Sequence, residues 1–197
     1  FRATGKKSEP VAVRREDGTI EKVAARPRAE NDFEPTPPEP TDALVAAEGA
    51  IIRRFPLVWE MACGDGRMMR DLARHGFDVV GSDLVDRGRG ATIRSFYDFG
   101  AAPSKCGITN PPFDQVNWQH GRARWLTHAL DVLDLDYLAL LLPWSWPGAA
   151  GLAGIWGRRP PSRVYLMRWR IDFTGMGANP SNHAWWIWDK AWEGETV

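Results

Sequence analysis

Short apolar runs alternate with amphipathic stretches over most of this chain. Residues 57–62, LVWEMA, hold one acid among apolar side chains and read as a buried strand. Cys63-Gly64-Asp65-Gly66 follows. Then Met68, Met69, Leu72 and Ala73 fall on one side of a helical period, with Arg67, Arg70 and Arg74 on the other. His75-Gly76 closes that helix with a C-terminal glycine. Residues 77–82, FDVVGS, form the next strand, which ends at Asp83. A strand–turn–helix–strand unit implies a right-handed crossover and a parallel pair.

Further strands are expected at 93–97 and 106–110, with a helix over 114–133 around Trp125, Leu126, Ala129, Leu130 and Leu133. YLALLL, at 137–142, is the most continuous apolar run and is stopped by Pro143. The runs 163–167 and 184–188 have no helical pattern between them, which predicts an antiparallel pair. Strands alternating with helices make this a three-layer α/β domain.

The first third reads differently. Residues 1–32 are polar, show no period and carry Lys6, Lys7, Arg14, Arg15, Lys22, Arg26 and Arg28. They are expected to form a flexible basic arm, with one domain over 33–197. Prolines extend the segment DFEPTPPEPTDALVAAE, 32–48, and Thr41 is the expected N-cap of a helix beginning with Asp42, Ala43, Leu44 and Val45. Residues 31–50 hold five acids and no base, which argues against this segment lying along phosphates.

Composition narrows the class. Apolar residues make up 44% of the 197 and charged residues 25%, as in a soluble globular domain. No run approaches the ~20 apolar residues of a membrane span, and FRATGKKSEP has no signal-peptide hydrophobic core. The expectation is a cytoplasmic protein with no membrane partner. Cys63 and Cys106 are too few for a disulfide framework and read as reduced packing residues. His75, His120, His128 and His183 lack metal-ligand spacing, so no metal is expected.

Net charge is zero, from 25 basic and 25 acidic residues, so a nucleic-acid partner has to be served by local patches. The best is GRRPPSRVYLMRWR, 157–170, with Arg158, Arg159, Arg163, Arg168, Arg170 and Trp169 and no acid. Tryptophan is abundant, 11 residues, and serves cores as well as base stacking. Trp144 and Trp146, after the fifth strand, are candidate stacking or wedge residues, while Arg67, Arg70 and Arg74 read as a solvated helix face.

In an open α/β sheet, ligands bind beyond the carboxyl ends of the strands. Three signals fall there. Gly64-Asp65-Gly66 lets backbone approach a ligand without a Cβ in the way. Asp83, 19 residues after Gly64, is placed to accept from both hydroxyls of a ribose. Asp98, in SFYDFG, is placed to accept from an adenine amino group. A dinucleotide site expects a third glycine where Met69 stands, and Asp65 repels phosphate. A nucleoside ligand without phosphate fits better, and S-adenosylmethionine is one.

At the carboxyl end of the fourth strand lies GITNPPFDQ, 107–115. Two prolines stiffen this loop. The lone pair of an exocyclic adenine amine is delocalised into its ring. Two acceptors aimed at its hydrogens draw that pair toward a tetrahedral arrangement. Asn110 offers a side-chain carbonyl, Pro111 a backbone carbonyl held by Pro112, and Phe113 a ring to stack on the base. Orientation in a desolvated pocket then supplies the rate. A base inside a duplex has to be flipped out to reach it.

GITNPPF together with WEMACGDGR and GSDL resembles class I S-adenosylmethionine-dependent methyltransferases of the amino-methylating type. NDFEPTPPEPTDAL and AWWIWDKAW resemble phage- and prophage-type adenine-N6 DNA methyltransferases in particular, and the likeness covers residues 32–192. It implies a Rossmann-like fold with a mostly parallel seven-stranded sheet and an antiparallel last strand. It implies that Glu60, Gly64 and Gly66 line the methionine end of the cofactor and that Ala62 and Asp65 also bind it. Asp83 would then hold the ribose and Asp98 the adenine amino group, with Leu84 and Phe99 also binding the cofactor. Thr36 and Pro37 would close over the methionine moiety, and Asn110, Pro111, Pro112 and Phe113 would meet the target base, Asn110 also bordering the cofactor. One departure is Glu34, where relatives often carry Tyr; Phe33 stands beside it.

Three other readings stay open. The same loop suits an RNA adenine or a protein glutamine amine, and a non-catalytic S-adenosylmethionine-binding phage protein would keep the pocket without turnover. An NAD-dependent oxidoreductase is disfavoured by Met69 and the acidic turn. Cytosine C5 methylation is disfavoured because Cys106 follows Lys105 and not a proline. No separate target-recognition module is visible, so recognition of the DNA substrate, duplex or single-stranded, is expected to be short, loose or supplied by a separate specificity partner.

Overall fold

The computed structural model describes residues 11–14, 20–23, 35–116, 123–148, 152–173 and 181–197. The chain divides into two units, Phe1–Asp32 and Phe33–Val197. In the first, strands β1 (Val11–Arg14) and β2 (Ile20–Val23) pair antiparallel, Val11 opposite Val23 and Arg14 opposite Ile20. The sequence reading gave this unit no element. Four-residue strands in a charged background offer too short an alternation to stand out.

The second unit is built on a seven-stranded sheet. Its strands are β3 (Val58–Glu60), β4 (Val79–Asp83), β5 (Thr92–Ile93), β6 (Cys106–Thr109), β7 (Tyr137–Pro143), β8 (Arg163–Leu166) and β9 (His183–Asp189), in the order β5-β4-β3-β6-β7-β9-β8. β3 to β7 pair parallel, and β9 runs antiparallel to both β7 and β8. The expected three-layer, mostly parallel sheet with an antiparallel last strand is therefore present. Every position from Tyr137 to Leu142 is buried, as a parallel strand covered on both faces requires.

One face packs Tyr137, Ala139 and Leu141 against Leu44 and Ile52 of α1 (Pro38–Ile52) and Met68 and Leu72 of α2 (Arg67–Arg74). The other packs Leu138, Leu140 and Leu142 against Trp125, Leu126, Ala129 and Leu130. Gly81 of β4 leaves room for the Met69 side chain of α2: a Cβ there would sit 2.4 Å from Met69 Sδ.

Several boundaries differ from expectation. Helix α1 begins at Pro38, with Pro37 at the N-cap and no side-chain cap, so Thr41 is a buried residue inside the helix. Proline at the first helical position has its φ preset and no N–H to satisfy. The helix expected over 114–133 is described as α3 (Phe113–Val116) and α4 (Arg124–Thr127), which runs on as a π-helix over His128–Val132. A short helix, α5 (Ala153–Arg158), had no counterpart in the sequence reading.

Tertiary contacts also sort the basic stretch. Arg163 is buried, donating to Glu48 through Nε and Nη2 (2.8 and 2.9 Å) and to Asp189 through Nη2 (3.0 Å). The Tyr137 and Tyr165 hydroxyls donate to the same Glu48 carboxylate, and Arg54 donates to Asp189. This network ties α1 to the β8–β9 edge. Arg158 and Arg159 pair with Asp131, leaving Arg168 and Arg170 exposed after β8. Among the described residues, no helix is long and apolar enough to cross a membrane and no group of His, Cys, Asp or Glu is arranged to hold a metal.

Candidate active site

Strand β3 delivers Glu60 to the carboxyl end of the sheet, and the chain then turns through Gly64 (φ 54°), Asp65 and Gly66 (φ 72°) into α2. Both glycines occupy the left-handed region that a Cβ disfavours. Asp83 ends the neighbouring strand β4. Its Oδ2 accepts the Gly64 N–H at 2.7 Å, while Oδ1 accepts the Val85 N–H at 2.9 Å and Arg87 Nη1 at 3.4 Å. The glycine turn and the acid singled out in the sequence are thus joined directly.

Glu60 is the most unusual group here. It is 3% exposed and its Oε2 is buried without a hydrogen-bond partner. Burial pushes its carboxyl well above the usual carboxylate range; a hydrogen bond from the Met69 backbone opposes this, and Asp83, Asp65 and Asp71 push it further up. Asp65 is itself held by Arg67, whose Nε donates at 2.8 Å. Ala62 is half-buried beside Cys63, whose thiol burial and the nearby Glu60 and Asp83 push up to about 12.

On the next strand, β6 ends at Thr109, and Asn110, Pro111 and Pro112 lead into α3 at Phe113. β6 lies beside β3, with Trp59 opposite Gly107, so Asn110 and Glu60 stand at adjacent strand ends. Asn110 Nδ2 donates to Thr36 Oγ1 at 3.1 Å, and Thr36 is 6% exposed. The Pro112 carbonyl accepts the Gln115 N–H at 3.0 Å, and the Gln115 side chain accepts the Tyr97 hydroxyl at 2.9 Å. The proline-stiffened loop is therefore anchored on both sides.

The other predicted positions differ in exposure and local structure. Leu84 is 64% exposed. Asp98 is exposed and belongs to a 3-10 turn (Phe96–Asp98), since the strand expected over 93–97 shortens to Thr92–Ile93. Ser95 causes the change: its hydroxyl accepts the Tyr97 N–H and opens the turn, which swings Phe96 onto Trp125 with centroids 4.2 Å apart. Phe99 is buried against Trp59 at 5.0 Å. Pro37 is half-buried. Phe33 and Glu34 lie outside the described residues.

His183, read in the sequence only as a histidine without metal-ligand spacing, is the first residue of β9. Its ring lies 6.1 Å from that of Phe113 and 5.1 Å from that of Phe173. Its Nδ1 bonds the Ser181 carbonyl and its Nε2 is buried without a partner. Burial lowers its pKa, so the neutral ring with the proton on Nδ1 is favoured. Nothing in the linear sequence joins positions 113, 173 and 183; ring contacts across the folded chain do.

No family model matches the chain, and no curated protein matches it by sequence. Solved structures do match it by shape. A candidate RNA methyltransferase from Pyrococcus horikoshii superposes with a TM-score of 0.64 at 12% identity, over 86% of this chain and 90% of that one. A candidate class I S-adenosylmethionine-dependent methyltransferase from Listeria monocytogenes gives 0.58 at 14% identity, over 83% of this chain and 63% of that one. Magnesium protoporphyrin IX methyltransferase from Synechocystis, solved with S-adenosylmethionine bound, gives 0.54 at 18% identity, over 77% and 79%. The strand order, the single antiparallel strand and these superpositions together give the chain the fold of class I S-adenosylmethionine-dependent methyltransferases.

Proposed function

We propose that this chain transfers a methyl group from S-adenosylmethionine to the exocyclic amino group of adenine in DNA. The observation that carries the reading is the Asn110–Thr36 hydrogen bond. It engages the amide nitrogen of Asn110, so the amide cannot rotate freely, and it sits one strand away from Glu60 and the glycine turn.

The residues present fit the cofactor. An unpartnered buried carboxylate oxygen at Glu60, with Asp65 and Asp83 nearby, favours a cation over a phosphate. S-adenosylmethionine carries two positive centres and no phosphate. Glu60 would face its ammonium, the glycine turn would pass its methionine stem, and Asp83 would accept from its ribose. When bound, it supplies an electrophilic methyl on a sulfonium sulfur.

The chain's own part is orientation. Asn110 Oδ1 and the Pro111 carbonyl accept the two hydrogens of the amine and turn its lone pair out of the ring plane. Phe113 stacks on the base and fixes that plane. No residue is needed as a base, because the nitrogen sheds its proton to water once it carries the methyl. An adenine in RNA offers the same amine, and the fold likeness to a candidate RNA methyltransferase keeps it as the second reading.

The test is transfer of labelled methyl to duplex DNA, single-stranded DNA, RNA and protein fractions, followed by nucleoside analysis. N6-methyladenine in DNA is the expected product. Asn110→Ala is expected to abolish transfer with S-adenosylmethionine affinity nearly intact. Asp83→Ala is expected to weaken cofactor binding about 10- to 150-fold, as loss of charged hydrogen bonds does. Normal turnover by the Asn110 variant would overturn the assignment.

A further inference from the structure

The carboxyl edge of the sheet continues past the Asn-Pro-Pro-Phe loop as an ordered row of exposed aromatic and cationic side chains. Backbone pairing builds it. Pro143, the last residue of β7, pairs with His183. The Trp144 N–H donates to the Asn182 carbonyl at 2.8 Å, and on the other side the Met167 N–H donates to the His183 carbonyl at 3.0 Å. His183 in turn touches Phe113. Trp144 and the Arg168-Trp169-Arg170 segment therefore flank one backbone junction, and Phe113 meets it through the His183 ring. β6 to β8 is three strand spacings, about 14 Å.

Trp144 is 48% exposed yet held firmly. Its ring stacks on Trp186 with centroids 5.8 Å apart at 23°. Trp186 is 3% exposed and packed edge-on by Trp146 (5.5 Å) and Trp156 (5.6 Å). A large ring left half in water on a rigid aromatic base is a stacking platform, since one face stays open at no further ordering cost. Trp169 is 42% exposed, and Arg168 and Arg170 beside it are exposed. Neither arginine forms an ion pair or side-chain hydrogen bond among the described residues. The other arginines of that basic stretch are committed to Glu48, Asp189 and Asp131.

We infer that this row is a track for an unpaired DNA strand: Trp144 stacks the base next to the one held at Phe113, and Arg168 and Arg170 take the phosphates beyond it. The inference rests on the reading of the Asn-Pro-Pro-Phe loop as the target-base site. A single strand fits better than a duplex because the faces of paired bases are already stacked on one another. Free guanidinium groups with an interleaved aromatic supply the charge and stacking complement that such a strand needs.

The experiment uses the full chain and a fluorescein-labelled oligo(dT), which contains no adenine, so binding to the track is read independently of methylation. Trp144→Ala is expected to weaken binding about 5- to 150-fold by anisotropy, and Trp144→Phe to retain most of it. The double variant Arg168→Ala/Arg170→Ala is expected to reduce the slope of log K against log salt by about 0.7 per arginine. Unchanged S-adenosylmethionine binding checks that each variant is folded. The inference is overturned if oligo(dT) binding ignores both changes, if a duplex or an RNA of equal length binds more tightly through Trp144, or if Trp144→Ala dissolves a dimer instead. An intact track with no adenine methylation would sink the target-base reading and leave the track standing.

Discussion

Asn110 Nδ2 donates to Thr36 Oγ1 at 3.1 Å, joining the segment before α1 to the loop after β6 across 74 residues of sequence. The bond fixes which end of the amide faces Thr36. In the proposed reaction it therefore decides whether Asn110 presents oxygen to the incoming amine.

Thr36→Val removes that acceptor while keeping the volume. A neutral hydrogen bond is worth about 0.5–1.5 kcal/mol, so kcat is expected to fall about 2- to 10-fold with little change in cofactor affinity. Thr36→Ser should restore it. Steady-state kinetics with titration calorimetry separates the two effects; a variant that loses cofactor affinity alone would place Thr36 at the cofactor instead.

Glu60 gives a pH signature. Its carboxyl is raised by burial in the folded protein, with Asp83, Asp65 and Asp71 adding to the rise. The folded state therefore holds this proton more tightly than the unfolded state. That contribution to stability is greatest below the ordinary carboxylate range and declines as pH rises toward the raised value. Glu60→Gln is expected to remove that slope and to stabilise the ligand-free protein near neutral pH, as read by thermal melts across pH. If the carboxylate meets an ammonium in the complex, binding releases a proton, measurable by calorimetry in buffers of different ionisation enthalpy.

Arg163 sits between Glu48 and Asp189, with side chains 6%, 1% and 5% exposed respectively. Arg163→Met would leave the Glu48 carboxylate buried without a cation, while Asp189 keeps only Arg54 among the described residues. Breaking such a site costs about 3–5 kcal/mol, so the midpoint of denaturant unfolding is expected to drop sharply. Because the network lies at the edge that carries β8, oligo(dT) binding should weaken with the melt and not before it.

Both cysteines are buried, and burial pushes each thiol up to about 12. Neither should react with a disulfide reagent at pH 8 until the protein unfolds, since the thiolate is the reactive form. Labelling that tracks the unfolding curve is the expected result. Fast labelling of Cys63 in the folded protein would mean that the turn opens.

The main strands of the sheet, the glycine turn and Asp83 after it are legible in the chain alone. Strands β3, β4, β6, β7 and β9 are local apolar runs, unlike the exposed pair Thr92–Ile93 of β5, and the turn Gly64-Asp65-Gly66 with Asp83 lies within one strand–helix–strand unit, so local pattern carries that information. It also placed Asn110 and its prolines at a strand end. What those residues touch is set by long-range packing. Thr36 meets Asn110, His183 meets Phe113, and three of five arginines in one basic stretch turn away to distant carboxylates while two stay in water. Such partners lie far apart along the chain, and strand order and burial, not periodicity, bring them together. Asp98 shows the reverse: a serine hydroxyl bonding two residues on replaced a strand with a turn, a local event that apolar spacing does not record.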